Sequence, residues 1–307
     1  KKKYIYQNID KYNVYARVNP LDKLRIINSW QRRNMIVAMT GDGINDAIAL
    51  KKADIGCAMG SGAEISKDSA DIIFTDSNYN TIIKAVKNGR VIYENIKKCT
   101  KYLLSSNIGE VLTIFIVLLL SLITKINLSI PLLSIHLLWI NLITDSLPAF
   151  GLGIMNPTDD IMKLPPRKKD DSFFDKKMIF DILFMGTVIG LITIISYFIG
   201  LNINPIYAQT MAFFTLSTSQ LIHSYNCSAE RSIFNRKILM NKFLNLSFVV
   251  GMILQFSVIY ISGLNSLFRL KPLPINMLLA SILLAISVLI ISEFKKKVEL
   301  KRNNVSK

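Results

Sequence analysis

Apolar and polar residues follow two different patterns along this chain. Through residues 1–100 the apolar runs are short and separated by charged segments. From residue 101 to residue 294 they lengthen into stretches able to cross a bilayer. In the first region Lys1–Tyr12 is polar and reads as a loop or frayed edge, and Val14–Val18 has the β-branched and aromatic content of a short strand. Pro20 opens a helix that runs to about Gln31, and Met35–Met39 is a compact apolar run of the buried-strand kind. Ile55–Met59 and Ile72–Phe74 are further strands, with helices at Ala47–Lys52, Glu64–Ala70 and Thr81–Lys98. Strands alternating with helices predict a parallel sheet.

Six membrane spans follow: Lys101–Ile123, Leu132–Gly153, Met178–Gly200, Ala208–Tyr225, Leu244–Ile261 and Met277–Ile291. Most are long enough for roughly 30 Å of hydrocarbon. The second and fourth are less apolar, which a stripe facing the interior of a helix bundle explains. The expected architecture is therefore an α/β domain at residues 1–100 followed by an all-α membrane domain of six helices at residues 101–307.

Composition supports this division and narrows the partners. The chain has 307 residues, is 51% hydrophobic, carries a formal net charge of +16 and has a mean hydropathy of +0.37. Such a basic balance suits nucleic acid, but here the cations cluster beside apolar spans: Lys97, Lys98 and Lys101; Arg167, Lys168 and Lys169; Arg231, Arg236, Lys237 and Lys242; Lys295, Lys296 and Lys297. That distribution marks loops held in the cytoplasm and a lipid bilayer as partner, not nucleic acid. It places residues 1–100 and both ends of the membrane domain inside. The loops Thr124–Pro131 and Asn202–Pro205 carry little charge, as external loops do. Cys57, Cys99 and Cys227 are too scattered for a disulfide framework or a zinc site. The chain opens on Lys1 inside a charged segment, which is expected of a piece of something longer.

Two constellations carry chemistry. The first is Thr40-Gly-Asp-Gly-Ile-Asn-Asp46, placed where a buried strand ends. Ligands of open α/β folds bind at that edge. Gly41 and Gly43 allow close backbone approach. Asp42 and Asp46 supply hard oxygens for Mg²⁺, and Asn45 can hydrogen-bond a phosphoryl oxygen without adding charge. Lys23, on the preceding helix, can neutralise a developing phosphoryl charge. An isolated Gly-Asp-Gly is usually only a turn. A plain turn does not account for the whole heptad followed by Ala-Leu-Lys-Lys-Ala53 and Gly-Cys-Ala-Met-Gly60.

The second constellation lies within the apolar region. Asn107 and Glu110 share a face at i, i+3 on the first span, and Asn141, Thr144 and Asp145 do so at i, i+3, i+4 on the second. Acids in a membrane are costly and mark functional sites. Two carboxylates with amide and hydroxyl oxygens suit Ca²⁺, which takes about 6–8 oxygen ligands. The set does not suit copper or zinc. Interhelical hydrogen bonding explains Asn107 and Thr144 but not Glu110 and Asp145 together, since paired buried acids repel. Pro148 and the Gly151/Gly153 pair are expected to loosen the second helix. Gly186-x-x-x-Gly190 matches a helix-contact motif that this composition also produces by chance. His223 reads as a hydrogen-bonded interface residue.

These residues resemble a family. Ala-Arg-Val-Asn-Pro-Leu-Asp-Lys23, Met-Thr-Gly-Asp-Gly-Ile-Asn-Asp46 and Ala-Met-Gly-Ser-Gly62 are similar to the phosphorylation domain of P-type cation ATPases, within the haloacid-dehalogenase superfold. Ser-Ser-Asn-Ile-Gly-Glu110, Leu-Leu-Trp-Ile-Asn-Leu-Ile-Thr-Asp-Ser-Leu-Pro-Ala149 and Asp159-Asp-Ile-Met-Lys-Leu-Pro-Pro-Arg167 resemble, more narrowly, calcium pumps of the sarcoplasmic-reticulum or secretory-pathway kind. The resemblance runs from about Tyr15 to the end and is strongest up to Arg167.

It implies that Asp42 binds Mg²⁺ at a phosphorylation site, and that Arg17, Lys23 and Asn45 contact ATP or the phosphoryl group. It also implies that Gln220, on the fourth span, joins the Ca²⁺ ligands. Some relatives carry Glu there and bind two ions, so neutral Gln leaves the stoichiometry open. By the same resemblance residues 1–100 are the carboxy-terminal part of the phosphorylation domain with its stalk. The partner is then the amino-terminal part of the same pump, with its actuator, nucleotide domain and first four helices. The family's nucleophilic Asp belongs to Asp-Lys-Thr-Gly-Thr, a pentapeptide absent from these residues, so the chain alone is expected to be inactive. Ile48 stands where the family commonly has Pro.

Three functions compete. An ATP-driven Ca²⁺ transporter, or one for another hard cation such as Mn²⁺, uses both constellations. A membrane-anchored phosphatase leaves Glu110 and Asp145 unexplained, and a channel leaves Thr40–Asp46 unexplained. A bacterial plasma membrane is expected from the Lys-, Ile- and Asn-rich composition.

Overall fold

Three short parallel strands form the centre of the first part of the molecule in a computed structural model that describes residues 6–76, 78–156, 161–167, 170–229, 232–233 and 241–305. The strands are β1 (Ala38–Gly41), β2 (Ile55–Met59) and β3 (Ile72–Phe74), in the order β1-β2-β3. Thr40 lies opposite Cys57, and Cys57 opposite Ile72. The helices α1 (Pro20–Gln31), α2 (Ala47–Lys52) and α3 (Glu64–Asp68) accompany the sheet. Helix α1 starts where the Asn19 side chain accepts from the Asp22 N–H and Pro20 occupies the first turn, whose N–H groups have no helical partner. Ala49, Leu50, Ala58 and Ile27 are buried and form the small core.

Two strand expectations shift. Val14–Val18 is not a strand, because Arg17 has a left-handed backbone (φ 51°) that a strand cannot contain. The first strand begins at Ala38 and not at Met35. Val37 is instead held by its N–H donating to the Asp54 carboxylate, while its carbonyl accepts from Asp54 and Ile55.

The chain divides into two compact units, Lys1–Val91 with Thr158–Phe173, and Ile92–Pro157 with Phe174–Lys307. In the first unit, Arg90 donates to the carbonyls of Ile161 and Leu164. That ties the loop after the second span to the sheet-bearing unit. Asp159, Asp160, Lys168 and Lys169 of the expected loop motif and basic cluster, and likewise Arg231, Arg236 and Lys237, lie outside the described residues.

The second unit is helical. Helix α4 (Tyr79–Thr124) is continuous over 46 residues, merging the expected helix Thr81–Lys98 with the first span. The second span is made of α5 (Ser134–Trp139), a π-helical turn at Ile140–Thr144 and α6 (Ser146–Gly153). There follow α7 (Lys176–Leu201), α8 (Pro205–Ser228), α9 (Lys242–Tyr260), α10 (Ser262–Leu267) and α11 (Ile275–Val305).

Among the described residues, five helices are long and apolar enough to cross a membrane: Asn80–Thr124, Ser134–Gly153, Lys176–Leu201, Lys242–Tyr260 and Ile275–Arg302. The expected fourth span, Ala208–Tyr225, lies within α8, whose 24 residues span about 36 Å. It is too polar to count among the five. Its Thr210, Thr215, Ser217, Ser219, Gln220 and Ser224 are buried among the other helices, chiefly α7 and α11. A helix enclosed by protein has no need of an apolar surface for lipid.

Small residues set how closely α7 approaches α4. A Cβ on Gly186 would meet the Ile108 side chain at 2.5 Å, and one on Gly109 would meet Ile189 at 2.9 Å. Thus Gly186-x-x-x-Gly190 is a true contact motif here, and it presses α7 against α4 beside Glu110.

Candidate functional site: a phosphate-type loop and a buried oxygen cluster

In the first unit the heptad leaves β1 and coils into a 3₁₀ turn, Ile44–Asp46, before α2. Asp46 is buried and Asp42 and Asn45 are exposed. Lys23 of α1 forms a short ion pair with Asp46 Oδ1. Asp46 Oδ2 accepts from the Gly43 N–H at 3.4 Å. The loop is packed tightly: a Cβ on Gly41 would lie 2.6 Å from Asp46 Cβ, and one on Gly62 would lie 2.8 Å from the Asp42 carbonyl oxygen. That carbonyl accepts from the Ala63 N–H, and the Ser66 hydroxyl donates to the Gly43 carbonyl. The β2–α3 loop therefore clamps the backbone of the motif and leaves the Asp42 side chain outward. Lys23 and Asp46 are brought together, whereas Arg17 is exposed in its left-handed turn, with no hydrogen bond to the motif among the described residues. Asp46 is already paired with Lys23, so Asp42 is the carboxylate of the motif left exposed and without a lysine partner among the described residues.

In the helical unit Glu110 is 5% exposed and Asp145 fully buried. Glu110 Oε2 accepts from the Asn141 side-chain amide at 2.9 Å, and Oε1 accepts from the Gln220 amide at 3.0 Å. Three separated helices, α4, the π-turn segment and α8, thus converge on one carboxylate. Asp145 Oδ1 accepts from the Tyr102 hydroxyl at 2.8 Å. Asp145 Oδ2, Gln220 Oε1 and the Ser106 hydroxyl are buried without a hydrogen-bond partner among the described residues. Orphaned buried oxygens are rare and call for an explanation. Every donor to these two acids among the described residues is neutral. An all-oxygen set of this kind, deficient in positive charge, fits a hard divalent cation.

Thr144 donates to the Ile140 carbonyl of its own turn, and Asn141 also donates to that of Leu137. Asn107 is exposed and makes no hydrogen bond to the cluster among the described residues. The loosening expected at Pro148, Gly151 and Gly153 occurs earlier, at Ile140–Thr144, between Asn141 and Asp145. π-Turns interrupt the regular bonding of a helix and are frequent at functional sites. Tyr102 and Ser106 were not foreseen. The signal that reveals them is their spacing, eight and four residues before Glu110, which stacks all three on one face of α4. His223 is fully buried beside this face, with a ring nitrogen 2.7 Å from the Ser105 hydroxyl.

Comparison with known proteins matches the chain to two family models. Residues 129–298 match the C-terminus of cation transporting ATPases, and residues 21–86 match haloacid dehalogenase-like hydrolases. Among curated proteins, "Calcium-transporting ATPase 1" of Bacillus cereus is 42% identical over 308 residues, covering 94% of this chain and 34% of the relative. "Calcium-transporting ATPase" of Bacillus subtilis is 42% identical over 260 residues, covering 83% of this chain and 28% of the relative. "Endoplasmic reticulum calcium ATPase srcA" of Aspergillus fumigatus is 40% identical over 222 residues, covering 72% and 22%. The chain spans about a third or less of the length of these relatives.

Proposed function

Given that the chain belongs to the cation transporting ATPase family, whose C-terminal model covers most of its multi-pass membrane part, we propose that it supplies the ion-binding helices and part of the phosphorylation domain of an ATP-driven Ca²⁺ transporter. Residues 1–100 are then the end of the cytoplasmic phosphorylation domain and its stalk, and residues 101–307 the membrane domain, in a bacterial plasma membrane. The observation that carries this reading is the pair Glu110 and Asp145, buried together with only neutral donors. A cation cancels that charge better than any residue of the cluster.

In this reading Glu110, Asp145, Asn141, Thr144 and Gln220 give oxygens to Ca²⁺, and Asn107, at the exposed edge, completes the shell from the side where another segment of the pump packs. That segment belongs to an amino-terminal part with an actuator, a nucleotide domain and four further helices. Asp42 holds Mg²⁺, and Lys23, Asn45 and Arg17 meet ATP or the phosphoryl group carried by an aspartate of that part. Within this chain the residues of the motif bind and orient. Lys23 holds Asp46, and the clamp of Gly62 on Asp42 aims the carboxylate outward.

The test is equilibrium binding of radioactive Ca²⁺ to the full pump and its Glu110→Gln and Asp145→Asn variants, with Mn²⁺ as competitor. The expected result is saturable Ca²⁺ binding lost in both variants, together with loss of Ca²⁺-dependent phosphoenzyme. Unchanged Ca²⁺ dependence in both variants overturns the site. Binding of Mn²⁺ in strong preference to Ca²⁺ transfers the assignment to a manganese pump. The 307 residues alone are expected to form no acid-stable phosphoenzyme with labelled ATP.

A further inference from the structure

A cavity of about 180 Å³ opens at the lysine-rich end of the membrane unit, between α4, α7, α8 and α11. Lys97, Lys98, Lys101, Lys177, Lys295 and Lys296 line it, against the four acids Glu94, Asp175, Asp181 and Glu299. A fifth acid, Glu293, sits 3.6 Å from Lys296. Among the lining residues, six lysines face four acids, which leaves the wall cationic. Asp181 is a single buried carboxylate shared by the ammonium groups of Lys101 and Lys295, and Lys295 also reaches Glu299 at 3.8 Å. Asp175 is committed elsewhere: it caps α7 by accepting from the Met178 N–H, and with Lys97 this holds its carboxyl below the usual range.

The deeper wall is polar and unsatisfied. Asn226, 4% exposed, has neither its side-chain oxygen nor its nitrogen in a hydrogen bond among the described residues, and Nδ1 of His223, 1% exposed, also lacks a partner. Both residues line the cavity, as do Met178 and Met185. An amide and a ring nitrogen left open beneath a ring of ammonium groups, with methionines to one side, make a pocket for a ligand that is anionic at one point and polar around it. A basic pocket between membrane helices at the cytoplasmic side is the recurrent form of a headgroup site.

We propose that this cavity binds one phosphate group, carried by an acidic phospholipid headgroup or free in solution. Its negative charge answers the cationic wall. The ester and glycerol oxygens of a lipid also offer acceptors and donors to Asn226 and His223, which inorganic phosphate supplies less well.

The experiment uses the full pump in nonionic detergent, read by native mass spectrometry and thermal shift. The ligands are phosphatidylglycerol, phosphatidylcholine and inorganic phosphate. Phosphatidylglycerol is expected to form a one-to-one adduct that phosphatidylcholine does not. The rim variant Lys177→Gln, whose side chain is 69% exposed, is expected to weaken that adduct about tenfold. Asn226→Leu, which leaves the charge untouched, is expected to weaken it as well. Lys51→Gln with Lys52→Gln, on exposed positions of the other unit, should leave it unchanged. Saturation by inorganic phosphate without a lipid adduct supports the site and assigns it to the free anion. Equal binding of both lipids with no phosphate binding overturns the proposal, as does an equal loss in the Lys51/Lys52 variant.

Discussion

Asp181 and Glu110 are both acids buried in the helical unit, and both engage α4 or lie on it, yet they are neutralised in opposite ways. Asp181 receives two ammonium groups, from Lys101 on α4 and Lys295 on α11. Among the described residues, Glu110, further along α4, receives only the amides of Asn141 and Gln220, and its neighbour Asp145 only the Tyr102 hydroxyl. Asp46 in the other unit follows the first pattern, with Lys23 as its cation. A carboxylate with a resident lysine is a structural joint, because its charge is cancelled by the fold itself. A buried carboxylate whose donors are all neutral finds no counter-charge in the fold, so a proton or a cation from outside must neutralise it.

This contrast can be broken in four ways. The largest effect is expected at the oxygen cluster: Asp145→Asn should weaken Ca²⁺ binding about a hundredfold or more, since ligand charge governs affinity at such sites. Titration of Ca²⁺ against bound radioactivity measures it, and a near-normal midpoint would place the cation elsewhere. Next is the joint. Asp181→Ala leaves two ammonium groups facing each other and should cost about 3 kcal/mol, discounted because Lys101 is partly exposed. A clear fall in the thermal midpoint of the helical unit, without loss of Ca²⁺ affinity in the surviving fraction, distinguishes a joint from a ligand.

Gly62→Ala comes third, at about 2 kcal/mol, because the new methyl would overlap the Asp42 carbonyl. Loss of hydrogen-exchange protection confined to β1 and β2 is the expected signature, and protection unchanged at those strands would mean the loop yields easily. Smallest is Lys23→Gln, at about 1 kcal/mol, because its side chain is 29% exposed and water compensates part of the loss. Exchange at Gly43–Asp46 should quicken while the helical unit stays as it was.

Much of this molecule was legible from residue order. The lengths of the apolar runs, the alternation of strands and helices around Thr40–Asp46, and the presence of acids inside two membrane helices are local features, and local features survive translation from sequence to fold. Glu110 and Asp145 stand out because charge in a membrane is expensive wherever its partners lie. Strand β1 begins three residues after Met35, and Val14–Val18 is no strand because a single left-handed residue, Arg17, interrupts it and carries no compositional mark.

What the tertiary structure decided is which groups meet. Gln220 reaches Glu110 across 110 residues of sequence and Lys295 reaches Asp181 across 114. No periodicity encodes such a pairing, since it depends on how helices pack and on the close approach that Gly109 and Gly186 permit. The inward turn of the polar residues on α8 and the π-turn between Asn141 and Asp145 have the same origin. Sequence alone fixed that two acids would be buried in membrane helices, because burial follows from the apolar residues around them. Packing alone fixed that one acid would find lysines and two would not, because the counter-charge comes from distant segments of the chain.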